Sequence, residues 1–150
     1  MNQPSMHALI AELSALRAGT KSIGDFRKNL SSAVDQVQDL LSPGVRLKLK
    51  RGTMSEVFRA STEFVPGCAR CNSLPLGRVF GSTIEHSECS KAVQMALESG
   101  TLARVSRPIW AEPDSRQLGS DGYFSCTSCG SIWTLVEPER HTYGLWQRIA

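Results

Sequence analysis

YFSCTSCGSIWTLVEPERHTYGLWQRI, Tyr123 to Ile149, decides how the rest of the chain is read. It divides into a strand (Tyr123 to Cys126), a turn (Thr127 to Gly130), a second strand (Ser131 to Glu137), a loop and a third strand (Leu145 to Ile149). In the second strand Trp133 and Leu135 alternate with Ile132, Thr134 and Val136, a period of two that sends them to opposite faces. The turn is a C-x-x-C-G knuckle. At that spacing two sulfurs can face one point while backbone amides of the tight turn donate to them. The residue after the second cysteine often needs a positive φ, which glycine permits and asparagine tolerates.

A second C-x-x-C pair, Cys68 and Cys71 followed by Asn72, lies upstream, so Gly130 and Asn72 occupy equivalent positions. Four thiolates closing a tetrahedron match one structural zinc ion, and the expected ligands are Cys68, Cys71, Cys126 and Cys129. A closed four-cysteine site keeps no position for water and performs no hydrolysis. Fifty-four residues separate the pairs, against roughly 15–20 in a compact zinc ribbon; an insertion carrying a helix at 84–99 accounts for the excess. Cys89 and His86, three apart on that helix, are the alternative ligands. The preferred reading makes them a buried thiol and a surface histidine. An odd count of five cysteines without a secretory leader argues against a disulfide framework, and no thioredoxin-like βαβ pattern surrounds either pair.

Further outward, Leu9, Ile10, Leu13 and Leu16 predict a helix over 5–18, and Phe26, Leu30, Val34, Val37 and Leu41 predict another over 22–41 with Ser22 as its cap. Together they make a helical hairpin over residues 1–44. Val45, Leu47 and Leu49 alternate with Arg46, Lys48 and Lys50, which predicts a strand with a basic face. Strand is also favoured from Phe58 to Phe64. Residues 66–81 read as loops, 101–110 as a strand broken by Pro108, and 111–122 as a mobile loop. The expected fold is therefore α+β: a helical hairpin (1–44) plus a small antiparallel sheet stapled by a zinc-ribbon-like site of four cysteines (45–150), packed as one compact domain.

The net charge of +3 lies wholly in residues 1–65, which hold nine Lys/Arg against six Asp/Glu, whereas residues 66–150 hold eight of each. A nucleic-acid-binding ribbon should be basic around its metal, so nucleic acid is not the expected partner. No signal peptide or membrane-length apolar run is evident, and a cytoplasmic protein is expected. The chain has no phosphate loop, nucleophile elbow or H-E-x-x-H sequence, and its three histidines are scattered, so no enzyme is expected.

Cys126, Cys129, Gly130, Trp133, Leu135, Pro138, Glu139, Gly144 and Trp146 together resemble the C-terminal end of small bacterial immunity proteins, which protect cells from polymorphic or contact-delivered toxins. The opening L-x-x-L-R-x-G, with S-I-x-D-F-R after it, is similar to helical starts in several immunity families. The resemblance covers about a third of the chain and implies a protein that binds one cognate toxin, with zinc holding the scaffold. Arg46, Lys48 and Lys50 are then the first candidate contacts, suited to an acidic docking surface. The alternative is a zinc-ribbon nucleic-acid-binding protein or small regulator, using the basic stripe and an exposed patch of Tyr123, Phe124 and Tyr143.

Overall fold

The structure, a computed structural model, describes residues 3–74, 78–111 and 121–150. Its contacts divide the chain into two units, Met1–Val65 and Pro66–Ala150. The architecture is α+β, with five α-helices and one antiparallel sheet among the described residues.

The first unit is helical throughout: α1 (Gln3–Arg17), α2 (Ile23–Gln36), a 3-10 turn (Gln38–Leu40), α3 (Pro43–Arg51) and α4 (Met54–Ser61). The expected hairpin is present. Leu9, Leu13 and Leu16 of α1 and Phe26 and Leu30 of α2 are buried at three-to-four spacing, and the Ser22 hydroxyl accepts from the Asp25 amide at 3.1 Å. The sequence pattern groups residues 45–65 with the cysteine-bearing portion, but their contacts place them with these helices.

Two expectations fail here. Residues 45–50 form helix, not strand. Ser42 caps α3 by accepting from the Val45 amide at 3.3 Å, Pro43 sits in the first turn, and Lys48, Lys50 and Arg51 fall in the last turn, where cations complement the helix dipole. Val45 and Leu49, four apart, are buried while Leu47 is 57 % exposed. The alternation thus concealed an i, i+4 pair. Residues 54–61 are likewise helical, started by a capping box in which the Thr53 hydroxyl accepts from the Glu56 amide (3.2 Å) and Glu56 accepts from the Thr53 amide (3.3 Å). Val57 and Phe58 supply its buried face.

The second unit is built on a five-stranded antiparallel sheet in the order β1 (Arg78–Val79), β5 (Leu145–Arg148), β4 (Ile132–Val136), β3 (Asp121–Cys126), β2 (Leu102–Val105). The strands expected over 123–126, 131–137 and 145–149 are β3, β4 and β5, and the expected helix is α5 (Thr83–Glu98), which packs on β2. β1 falls in a segment expected to be loop. It is two residues long and owes its conformation to pairing with β5. Most of the expected mobile loop, residues 112–120, lies outside the described residues.

Register explains the core. Phe124 lies opposite Trp133 and Leu135 opposite Trp146. These side chains share one face and pack with Cys89, Val93 and Ala96 of α5. Trp133 and Trp146 stack with ring centroids 5.0 Å apart and planes 10° from parallel, a large apolar contribution in so small a unit. Trp110 is half-buried and outside this cluster. Phe124 is 2 % exposed, so no surface patch includes it. Gly144 enters β5 at φ +81°, and a Cβ there would lie 2.1 Å from the Val136 carbonyl oxygen, so only glycine fits.

Candidate metal centre

Both cysteine pairs belong to the second unit. Cys126 ends β3 and Cys129 lies in the turn before β4, so the second knuckle is the tip of a β-hairpin whose strands are aligned by the Cys126 amide donating to the Ser131 carbonyl at 2.9 Å. Cys68 precedes a 3-10 turn, Cys71–Ser73. The knuckles close alike. The amide after each second cysteine donates to the carbonyl of the first: Asn72 to Cys68 at 3.0 Å and Gly130 to Cys126 at 2.9 Å.

Gly130 has the expected positive φ, +75°. Asn72 does not: the one non-glycine residue with positive φ among those described is Arg140. The first knuckle continues into right-handed 3-10 backbone, and the Asn72 side chain instead donates to the Gly67 carbonyl at 3.2 Å, fastening the loop behind the cysteines.

The four sulfurs converge. Cys68 Sγ lies 3.8 Å from Cys71 Sγ and 3.5 Å from Cys126 Sγ, Cys71 Sγ lies 3.6 Å from Cys129 Sγ, and all four fall within 4.8 Å of one another. Zinc at about 2.3 Å from each sulfur requires tetrahedron edges of about 3.8 Å. The distances fit that figure and are far from the roughly 2.05 Å of a disulfide; all five cysteines are free. Cys71 and Cys126 are buried and Cys68 and Cys129 half-buried, so the donor set is sulfur only and largely shielded from water. The cluster is able to hold a metal ion such as zinc, with Cys68, Cys71, Cys126 and Cys129 as the ligands. Neither alternative ligand belongs to it. Cys89 sits in the apolar core at 2 % exposure, and His86 places Nε2 3.0 Å from a Glu137 carboxylate oxygen with its ring edge-on to Phe80.

The thiols differ in acidity in the metal-free chain. Burial, with the neighbouring sulfurs, pushes Cys71 up to about 12. At Cys129 burial also acts upward, but hydrogen bonds led by the Ser131 hydroxyl and amide outweigh it and bring the thiol down to about 6. Cys68 is lowered chiefly by the Cys71 backbone amide. The Ser131 hydroxyl, in a residue 2 % exposed, lies 3.1 Å from Cys129 Sγ. A buried hydroxyl aimed at sulfur suits a thiolate acceptor, which is the form a metal ligand takes.

The candidate partner residues Arg46, Lys48 and Lys50 belong to the other unit, on α3. They do not share a face as they would on a strand. Helical geometry puts Gly44, Leu47, Lys48 and Arg51 on one stripe, all exposed. Arg46 is half-buried, with Nε shielded and without a hydrogen-bond partner among the described residues, and Lys50 pairs with Asp35 at 3.3 Å.

Comparison with family models, curated proteins and solved structures gives no match. The resemblance to immunity proteins therefore gains nothing from these comparisons and rests on its motif. No helix among the described residues is long and apolar enough to cross a membrane.

Proposed function

We propose that this chain is an immunity protein that binds and neutralises a cognate bacterial toxin, with one zinc ion holding the second unit as scaffold. The observation that carries the reading is the C-terminal motif, whose members work as one structural piece: Cys126, Cys129 and Gly130 form the metal-side hairpin tip, and Trp133, Leu135 and Trp146 form the core beneath it. Four sulfurs saturate a tetrahedral ion, so the metal offers no position to a substrate. Activity then resides in surfaces, as it does in an inhibitor.

The contact surface assigned to the toxin is the exposed stripe of α3. It keeps Lys48 from the basic trio of the sequence, adds Leu47 and Arg51, and demotes Lys50, which pairs with Asp35, and Arg46, which is half-buried. An exposed leucine beside two cations suits an acidic protein surface with an apolar socket better than a phosphate backbone. Co-expression with any toxin domain found encoded next to this chain tests the reading. Protection and a one-to-one complex are expected; growth arrest despite abundant folded chain sinks it. Lys48→Glu with Arg51→Glu should slow association and weaken protection while the metal stays bound. Nanomolar, sequence-selective binding of nucleic acid at physiological salt would favour the zinc-ribbon alternative instead.

A further inference from the structure

Each knuckle closes through its own backbone, so each can form alone. Their mutual register is different: it must be set between segments 54 residues apart in the chain. The structure contains a device at that junction. Arg70, the second intervening residue of Cys68-Ala69-Arg70-Cys71, reaches across to the second intervening residue of Cys126-Thr127-Ser128-Cys129, its Nη1 donating to the Ser128 hydroxyl at 3.0 Å. Its Nη2 donates to the Thr101 hydroxyl at 3.3 Å, at the corner between α5 and β2. That corner also holds the second knuckle: the Thr127 amide donates to the Thr101 carbonyl at 3.0 Å, and the Thr127 hydroxyl donates to the Gly100 carbonyl at 2.6 Å. One guanidinium thus ties the first knuckle both to the second and to the framework on which the second is mounted.

We propose that Arg70 is a positioning residue of the metal centre, a clamp that holds the two cysteine knuckles in ligating register through Ser128 and Thr101. The proposal rests on the metal reading above. Arg70 is the one charged residue inside either C-x-x-C loop, and its planar fork of donors can serve two acceptors at once, which a single ammonium held at one of them does not. It is exposed, and exposed polar contacts contribute little to global stability. Its effect belongs to metal retention, where groups that orient the ligands typically govern affinity by 10–100-fold.

The test uses the full chain loaded with Co(II), whose absorption reports tetrahedral sulfur ligation, and a chelator that competes for the ion. Arg70→Ala should hold the ion about tenfold more weakly while keeping the tetrahedral spectrum at saturation. Arg70→Lys should recover part of the loss. Ser128→Ala should weaken retention in the parent and add nothing in the Arg70→Ala background, the coupling expected of two members of one contact. Retention by Arg70→Ala equal to the parent overturns the proposal, as does full recovery by lysine, since charge alone would then suffice. An undiminished effect of Ser128→Ala in the Arg70→Ala background also overturns it. A parent chain that takes up no Co(II) removes the metal reading and this inference together, whereas a parent that binds normally leaves that reading standing whatever Arg70 does.

Discussion

The two units reach order by different means. In Met1–Val65, helices follow one another closely in sequence and bury leucines, valines and phenylalanines against near neighbours in the chain, such as α1 on α2 and α3 on α4. In Pro66–Ala150, the decisive contacts are long-range: β1 pairs with β5, and Cys68 and Cys71 meet Cys126 and Cys129. Local contacts cost little loop-closure entropy and distant ones cost more. The helical unit can therefore rely on side-chain burial alone, while the sheet unit combines a stacked aromatic core with a cross-link that a bound metal would supply.

The largest test of this contrast is Cys126→Ser. Structural zinc contributes on the order of 10 kcal/mol of apparent folding free energy in small metal domains, more than any one side chain here. Metal content should fall from about one per chain, and the near-ultraviolet dichroism of the Trp133–Trp146 stack should collapse, while helical signal from the first unit persists. Elemental analysis showing full metal in the variant would contradict the ligand assignment. Acid should act in the same direction. Ligation needs thiolates, and Cys129, lowered to about 6 in the metal-free chain, is protonated below that value. Metal loading should therefore weaken progressively as the pH falls, because protons compete with the metal for all four sulfurs, read by dialysis against buffers of stepped pH.

Leu49→Ala sharpens the contrast from the other side. Leu49 is fully buried in α3, and truncation of such a leucine costs about 3 kcal/mol. Denaturant unfolding of the helical signal should shift by that order with metal content unchanged; a loss of metal would contradict the contrast. Thr53→Ala removes the hydroxyl of the α4 capping box and should cost about 1 kcal/mol in the same transition. Smallest of all is Cys89→Ser, which should leave one metal per chain and the sulfur-only spectrum intact. A change in ligation would return Cys89 to the ligand set.

The region of the molecule least legible in the sequence is α3. Arg46-Leu47-Lys48-Leu49-Lys50 fits strand periodicity because Leu47 alternates with true core positions, yet Leu47 is exposed and only the Val45–Leu49 pair is buried. Ser42-Pro43 before it, and Thr53-Met54-Ser55-Glu56 after it, were the helix-start signals that outweigh a short alternation. At the site, the four clustered cysteines were legible from C-x-x-C spacing, and the positive φ of Gly130 from its place in the knuckle. Asn72 was not, because its backbone follows the 3-10 turn while its amide side chain finds Gly67.

By itself the sequence determined what depends on near neighbours: the capped hairpin of α1 and α2, the span of α5, the alternation that makes β4, and two knuckles each able to present a pair of thiols. Only the tertiary structure decided that those pairs meet across 54 residues, that β1 forms at all, that Trp133 and Trp146 stack, and that Arg70 bridges Ser128 and Thr101. The reason is physical. Periodicity and caps are properties of a few consecutive residues, whereas strand pairing, sulfur convergence and a guanidinium's choice of acceptors depend on which distant backbone arrives beside them, and no local pattern records that.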